Sequence, residues 1–120
     1  MARILIVDDS KTSRKMLRTI LEDAGIEVVG EAVNGEEAVA LFPILKPDLV
    51  TLDITMPVMD GICALTKILE IDHQAKVIMV TAAGQKGNVV EALKIGASEF
   101  VTKPYDADAI LEVVHKILGA

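Results

Sequence analysis

Five short apolar segments alternate along the chain with five segments of helical periodicity, and this alternation constrains the fold more than any other feature. The apolar segments cover residues 3–8, 26–32, 48–53, 76–81 and 99–102. In the segments that follow them, most apolar residues are three or four positions apart, over residues 11–24, 34–45, 61–69, 86–95 and 106–118. Short apolar bursts predict strands, and the longer spacing predicts amphipathic helices. A strand–helix unit repeated five times predicts a parallel sheet covered by helices on both faces.

The order of the strands is restricted by the handedness of parallel connections. Right-handed crossovers leave few topologies for five parallel strands, and the order 2-1-3-4-5 of the doubly wound, flavodoxin-like (βα)5 fold is one of them. No linker, low-complexity tract or internal repeat interrupts the 120 residues, a length that suits one core. We therefore expect an α/β fold with one domain over residues 1–120 and no output domain.

Composition and charge exclude two classes of function. The mean hydropathy of +0.46 is high, but the apolar runs at residues 4–7 and 77–80 are far shorter than the ~20 residues that cross a bilayer. The net charge is −6, and no basic stripe of the kind that binds nucleic acid is present. The single cysteine, Cys63, fits a reducing compartment, and no signal peptide precedes the first strand. We expect a cytoplasmic protein without membrane insertion or nucleic-acid contact, in which Cys63 packs inside.

Polar side chains follow four of the five predicted strands. Asp8 and Asp9 end the first strand, and Asp53 ends the third. Thr81 ends the fourth strand, and the fifth runs into Lys103. Because the carboxyl ends of parallel strands share the edge of the sheet where ligands bind, we expect these five side chains to converge.

Each of these residues also has a simpler interpretation. Asp8, Asp9 or Ser10 can cap the first helix. Asp53 can be a turn residue, and Lys103 can be an ordinary solvated lysine. However, adjacent carboxylates repel each other unless a cation compensates them, and a carboxylate at the end of a buried strand seldom lacks a partner. The pattern as a whole therefore favours a functional site.

A cluster of carboxylates without histidine or cysteine favours a hard cation. Mg²⁺ is held in proteins by one or two carboxylates together with water and phosphate oxygens. An aspartate beside Mg²⁺ can attack phosphorus and form an aspartyl phosphate, while a lysine and a hydroxyl hold the other phosphoryl oxygens. The sequence therefore predicts phosphoryl transfer onto Asp53, with Mg²⁺ as the cofactor.

Four short motifs carry a resemblance to a known family. They are IVDDS at residues 6–10, DITMPVMDG at 53–61, VTAA at 80–83 and TKP at 102–104. With this spacing the chain resembles, over essentially its whole length, the receiver domains of two-component response regulators, and among them the stand-alone chemotaxis regulators. The resemblance implies a phosphorylation-switched signalling domain that is not an enzyme, because it would catalyse only its own phosphorylation and dephosphorylation.

The resemblance also implies roles for individual residues. Asp53 would be the phosphoacceptor, and Thr81 and Lys103 would contact the phosphoryl group. Thr81 and Phe100 would form the switch, although Phe100 has a simpler interpretation as a core residue. The Mg²⁺ ligands would be the carboxylates of Asp9 and Asp53, a water on Asp8, and the main-chain carbonyl of Thr55.

Three finer expectations follow from the same resemblance. Ala82 would leave room for the phosphoryl group, and the Lys103–Pro104 peptide bond would be cis. The two positions that tune the lifetime of the phosphorylated state in this family hold Thr55 and Ala83, and neither can orient water as an amide or a carboxylate could. We therefore expect slow self-dephosphorylation.

The expected partners also come from the resemblance. The phosphoryl donor would be a sensor histidine kinase, CheA-like in the chemotaxis branch, and the monomeric receiver would signal by contact to a flagellar motor switch protein or a phosphatase. One alternative is a single-domain intermediate of a phosphorelay. Another is a phosphatase with an aspartate nucleophile, but haloacid-dehalogenase-like enzymes carry a second aspartate where this chain has Thr55.

Overall fold

The computed structural model describes residues 2–82 and 84–119, in which five strands and five helices alternate strictly. In chain order the elements are β1 (Arg3–Val7), α1 (Lys11–Asp23), β2 (Glu27–Ala32), α2 (Gly35–Leu45), β3 (Leu49–Asp53), α3 (Gly61–Ile71), β4 (Val77–Thr81), α4 (Lys86–Ile95), β5 (Glu99–Thr102) and α5 (Ala107–Leu118). All the elements predicted from periodicity are confirmed, and their ends differ from the prediction by at most about two residues.

The five strands form one parallel sheet in the order β2-β1-β3-β4-β5. β1 pairs with both β2 and β3, so the direction in which the chain adds strands reverses at β1. The predicted order is confirmed. Such a reversal opens a crevice beyond the carboxyl ends of β1 and β3, and the acidic residues of the sequence motifs lie at these ends.

The strands are apolar because helices cover both faces of the sheet. Every residue of β3 and β4 is buried. One hydrophobic cluster packs α2, α3 and α4 against one face, and a second packs α1 and α5 against the other. Among the helices of residues 2–82 and 84–119, none is long and apolar enough to cross a membrane.

At the start of four helices a side chain accepts a hydrogen bond from a main-chain N–H of the first turn. The capping residues are Ser10, Asn34, Asp60 and Asp106. Ser10 Oγ accepts from the Ser13 N–H over 3.2 Å, which satisfies one of the free donors of the first turn of α1. The alternative that Asp8 or Asp9 caps α1 is therefore wrong.

Two side chains are more exposed than the sequence pattern suggests. The buried stripe of α1 consists of Leu17 and Leu21, and Met16 lies one position outside it and is exposed. Cys63 is also exposed, because it lies on the side of α3 opposite the face formed by the buried Gly61, Ala64, Leu65 and Ile68. The expectation that Cys63 packs inside is wrong.

Candidate functional site

Three carboxylates meet at the carboxyl ends of β1 and β3. One oxygen from each of Asp8, Asp9 and Asp53 lies within 4.8 Å of the others. Asp8 and Asp53 are only 2% and 7% exposed, whereas Asp9 is exposed to solvent. The cluster therefore combines two buried carboxylates with one that faces the entrance.

Lys103 reaches the same cluster from the end of β5. Its Nζ lies 2.9 Å from Asp8 Oδ2 and 3.4 Å from Asp53 Oδ2. The Lys103–Pro104 peptide bond is cis, as the resemblance implies. Burial alone would lower the pKa of Lys103, but the close contacts with the two carboxylates and their negative charge outweigh it and hold the pKa above its ordinary value. The ammonium is therefore charged at neutral pH.

The surroundings of Asp53 disfavour the ionised form of its carboxyl group. Burial, and next the negative charge of Asp8, raise the pKa of Asp53 to about 6, although Lys103 and the Ile54 N–H oppose the change. The Ile54 N–H donates to Asp53 Oδ1 over 2.9 Å, which leaves Oδ2 on the side of Lys103. At neutral pH the group is mostly ionised, so the native state holds a carboxylate that is poorly solvated.

The donor set suits a hard cation. Asp8 Oδ1 accepts from the Ser10 N–H over 2.8 Å. Asp8 Oδ2 is buried and, although the Lys103 ammonium is close, it accepts no well-directed hydrogen bond. A buried oxygen in this state is costly, and a cation between the three carboxylates would satisfy it. The acidic pocket is therefore typical of Mg²⁺ binding.

Thr81 and Phe100 line one cavity of about 350 Å³ between β4, β5 and α4. Thr81 is buried at the end of β4. Phe100 lies on β5 with 38% of its surface exposed, so the alternative that it belongs to the core is wrong. The two residues named as the switch are thus brought to the same cavity, beside the acidic cluster.

Comparison with known proteins identifies the family. The model of the response regulator receiver domain matches residues 4–115. The chain belongs to this family. The receiver domain is 53% identical over 116 residues to the chemotaxis protein CheY of Listeria monocytogenes, covering 97% of this chain and 98% of that relative. CheY of Bacillus subtilis is 52% identical over 117 residues, which cover 98% of each chain.

Solved structures have the same fold. A chain of the CheX–CheY–BeF3–Mg²⁺ complex from Borrelia burgdorferi has a TM-score of 0.93 and 41% identity, over 98% of this chain and 89% of that chain. The response regulator domain of Thermotoga maritima CheB has a TM-score of 0.91 and 36% identity, over 100% of this chain and 98% of that chain. The receiver domain is thus a phosphorylation-switched component of two-component signalling that closely matches CheY proteins.

A guanidinium behind the acidic cluster holds its main chain, and the sequence motifs did not indicate this contact. Arg14 on α1 donates from Nη1 to the carbonyl oxygen of Asp8 over 2.7 Å and from Nε to Glu31 Oε1 over 2.9 Å. The Asp8 N–H donates to the Ala32 carbonyl over 3.0 Å. Arg14 therefore fixes the peptide that joins Asp8 to Asp9, and with it the direction of both carboxylates.

We expect Arg14→Met to weaken Mg²⁺ binding about tenfold, as is usual when a residue that orients metal ligands is removed. Arg18→Met is a matched control, because Arg18 donates to the same Glu31 over 2.6 Å and to Glu22 over 3.2 Å. Calorimetric titration with Mg²⁺ compares the variants with the wild-type receiver. Equal losses of affinity in the two variants would contradict the positioning role of Arg14.

Gly61 lets the start of α3 lie directly against Asp53. A Cβ atom at Gly61 would collide with the main-chain carbonyl oxygen of Asp53. The Gly61 N–H donates to the Ile54 carbonyl over 2.7 Å, which holds this close approach. The Asp60-Gly61 pair at the end of the longest motif therefore combines a helix cap with packing that only glycine permits.

An amide reaches the site from a position that the sequence argument did not consider. Gln85 Nε2 donates to Thr55 Oγ1 over 2.6 Å, and Gln85 Oε1 accepts from the Ala82 N–H over 2.6 Å. The expectation of slow self-dephosphorylation considered only the side chains of Thr55 and Ala83, and Ala83 lies outside the described residues. That expectation stays a prediction. The Gln85 amide is a further polar group beside Thr55 that could affect the lifetime of the phosphorylated state.

Tyr105 is a third residue that the motifs did not indicate. It follows the Lys103–Pro104 bond and packs against the cluster of α1 and α5. Burial, and next the charges of Asp8 and Asp53, raise the pKa of its phenol. The hydroxyl is therefore neutral at physiological pH. It is close enough to feel the charges of Asp8 and Asp53, but it does not belong to the acidic cluster.

Proposed function

We propose that this receiver domain accepts a phosphoryl group on Asp53, with Mg²⁺, from a CheA-like sensor histidine kinase. The observation that carries the proposal is the cluster of Asp8, Asp9 and Asp53, whose oxygens lie within 4.8 Å of one another. The Lys103 ammonium lies beside it, 2.9 Å from Asp8 and 3.4 Å from Asp53. Since the pKa of Asp53 is about 6, the carboxylate is ionised at neutral pH and can act as a nucleophile.

The chemistry requires little besides positioning and charge. An oxygen of Asp53 bonds to phosphorus while the bond between phosphorus and the donor's histidine nitrogen breaks, and the electron pair returns to the imidazole. Lys103 and Thr81 donate to the phosphoryl oxygens from the ends of β5 and β4. When bound, Mg²⁺ neutralises charge on these oxygens. The residues that would hold it are Asp9 and Asp53 through their carboxylates, Asp8 through a water, and Thr55 through its main-chain carbonyl.

The proposed switch couples the position of Thr81 to that of Phe100. When the Thr81 hydroxyl moves to a phosphoryl oxygen, it makes room in the cavity that the two side chains share, and the half-exposed Phe100 ring turns inward. The surface around β5 then differs between the phosphorylated and unphosphorylated forms. Because Phe100 has no hydroxyl, a partner recognises the vacated surface and the ring position rather than a hydrogen bond from this residue.

The output is contact with another protein in the cytoplasm. A flagellar motor switch protein and a phosphatase are the proposed partners. The similarity to chemotaxis proteins CheY supports an output in chemotaxis, and the CheX–CheY complex of Borrelia burgdorferi is a case in which a similar chain contacts another protein. The receiver domain acts as a monomer in this contact, with no direct part for nucleic acid or membrane insertion. It catalyses only its own phosphorylation and dephosphorylation.

The test is to incubate the protein with Mg²⁺ and acetyl phosphate and to measure its intact mass. We expect one phosphoryl group on the wild-type protein and none on Asp53→Asn. Asp60→Asn is the control, because Asp60 is exposed in the same motif and asparagine also caps a helix. Modification of Asp53→Asn at the wild-type rate would show that another residue is the acceptor.

A further inference from the structure

The side chain of Gln85 joins the segment that follows β3 to the segment that follows β4. Its Nε2 donates to Thr55 Oγ1 and its Oε1 accepts from the Ala82 N–H, each over 2.6 Å. These partners determine the orientation of the amide, because the reversed orientation would point two N–H donors at each other. Gln85 lies directly before α4, but its side chain makes no capping hydrogen bond. The amide therefore serves the bridge and not the helix.

The two ends of the bridge lie on the segments that leave β3 and β4, just beyond Asp53. Thr55 lies two residues after Asp53, and Ala82 directly follows the last residue of β4. β3 and β4 are neighbours in the sheet, and Asp53 lies beside Val80 in their register. A group that is attached to Asp53 and extends beyond the strand ends must therefore pass close to the bridge.

The bridge also connects to the switch cavity. Gln85 lines the cavity of about 350 Å³ together with Thr81 and Phe100. Since Ala82 directly follows Thr81, a hydrogen bond to the Ala82 N–H restrains the main chain next to Thr81. The amide thus restrains the segment that has to move if Thr81 moves.

We propose that Gln85 is a latch for the unphosphorylated state, because its amide occupies the Ala82 N–H and ties this segment to Thr55. Main-chain N–H groups at such an edge are suitable donors to phosphoryl oxygens, and an N–H makes one well-directed hydrogen bond at a time. Phosphorylation of Asp53 has to release the amide before Ala82 can donate to the phosphoryl group. This inference rests on the proposed function, since it requires that Asp53 carries the phosphoryl group.

A latch of this kind lowers the affinity for any group that replaces the phosphoryl, because binding must first break the bridge. Gln85→Met keeps the length of the side chain and loses both hydrogen bonds. We expect it to bind BeF3⁻ in the presence of Mg²⁺ about three- to tenfold more tightly than the wild type, the range that neutral hydrogen bonds supply. Calorimetric titration with BeF3⁻ at saturating Mg²⁺ measures this change.

Thr55→Val tests the bridge from its other end and keeps the main-chain carbonyl of Thr55. It should bind BeF3⁻ more tightly than the wild type, with a smaller gain than Gln85→Met. The double variant should bind no more tightly than Gln85→Met alone, because both substitutions remove the same bridge. Fully additive gains would mean that the two side chains act independently and would overturn the latch.

A second measurement needs neither Mg²⁺ nor BeF3⁻. Hydrogen exchange of the Ala82 amide, followed by NMR, should be faster in Gln85→Met than in the wild type, because the amide loses its acceptor. Gln74→Met is the control, since Gln74 is an exposed glutamine in the turn before β4, at the opposite edge of the sheet. It should match the wild type in both measurements.

The outcomes separate the latch from the proposed function. If the wild type fails to bind BeF3⁻ with Mg²⁺, the proposed function and the latch are both overturned. If the wild type binds but Gln85→Met binds equally or more weakly, only the latch is overturned. Weaker binding would mean that the Gln85 amide assists the bound state instead of opposing it.

Discussion

Replacing Lys103 by methionine should lower the free energy of unfolding at neutral pH, without Mg²⁺, by about 1–3 kcal/mol. Lys103 is the ion-pair partner of both Asp8 and Asp53, so its loss leaves two buried carboxylates without that charge. Removing one partner of a buried ion pair usually costs more, but the Lys103 side chain is 24% exposed and solvent screens part of the effect. Methionine keeps most of the apolar stem. Urea unfolding measures the difference.

The loss of stability caused by Lys103→Met should depend on pH and on Mg²⁺. Because the pKa of Lys103 is raised in the native state, its contribution is fully present at neutral pH and is lost at high pH, when the lysine itself titrates. Asp53 has a pKa of about 6 even with Lys103 present, so acidification below that value should restore stability to the variant. If Mg²⁺ binds the acidic cluster of the native state, saturating Mg²⁺ should also restore part of the lost stability.

Lys116→Met is the matched control for this substitution. Lys116 also forms an ion pair, 3.1 Å from Glu99, but its side chain is largely exposed. Exposed pairs contribute little, so we expect a change of at most about 0.5 kcal/mol. If Lys103→Met is no less stable than Lys116→Met, the pairing of Lys103 with the acidic cluster does not stabilise the fold.

Asp53→Asn should have the opposite effect and raise the free energy of unfolding at neutral pH, without Mg²⁺, by about 1–2 kcal/mol. Asparagine has the shape of aspartate and can still accept from the Ile54 N–H, but it removes a charge that burial and Asp8 disfavour. The substitution that is expected to prevent phosphorylation under the proposed function is thus also expected to stabilise the protein.

The sign of the pH dependence distinguishes this cause from a general packing effect. An acid with a raised pKa weakens the native state as pH rises from its ordinary value of 3.8 through about 6. The advantage of Asp53→Asn should therefore disappear as the pH falls to about 4, and it should shrink or reverse at saturating Mg²⁺, which stabilises the wild type by mass action. Chemical unfolding at several pH values tests both statements. An advantage that is independent of pH would contradict the electrostatic explanation.

The sequence predicted the elements well because local patterns define them. Each strand of this protein is a short apolar run, and each helix begins or ends at a turn or capping residue such as Ser10, Asn34 or Gly96. The acidic cluster was predictable for a related reason. Parallel strands end at one edge, so the residues after β1 and β3 had to lie close together once the strand order was known.

The contacts that the sequence did not reveal join side chains from separate elements. Arg14 on α1 donates a hydrogen bond to the Asp8 carbonyl. Gln85 donates one to Thr55, although thirty positions separate the two residues. Neither contact leaves a periodic pattern, because each depends on the length and direction of one side chain across a gap. The exposure of Cys63 was missed for a similar reason, since an apolar residue in a first turn can face either way.

Lys103 is shared between two carboxylates, so it compensates only part of the negative charge of the site. Three carboxylates and one ammonium leave an excess of two negative charges, which a divalent cation cancels. In the proposed reaction, phosphorylation of Asp53 would replace one negative charge by a group that carries nearly two, so the site with bound Mg²⁺ would again be negative. Neutral donors have to stabilise this excess, and the Thr81 hydroxyl and the Ala82 N–H both lie where β4 ends. The change in charge at Asp53 therefore favours whichever arrangement of that segment turns these donors toward the site.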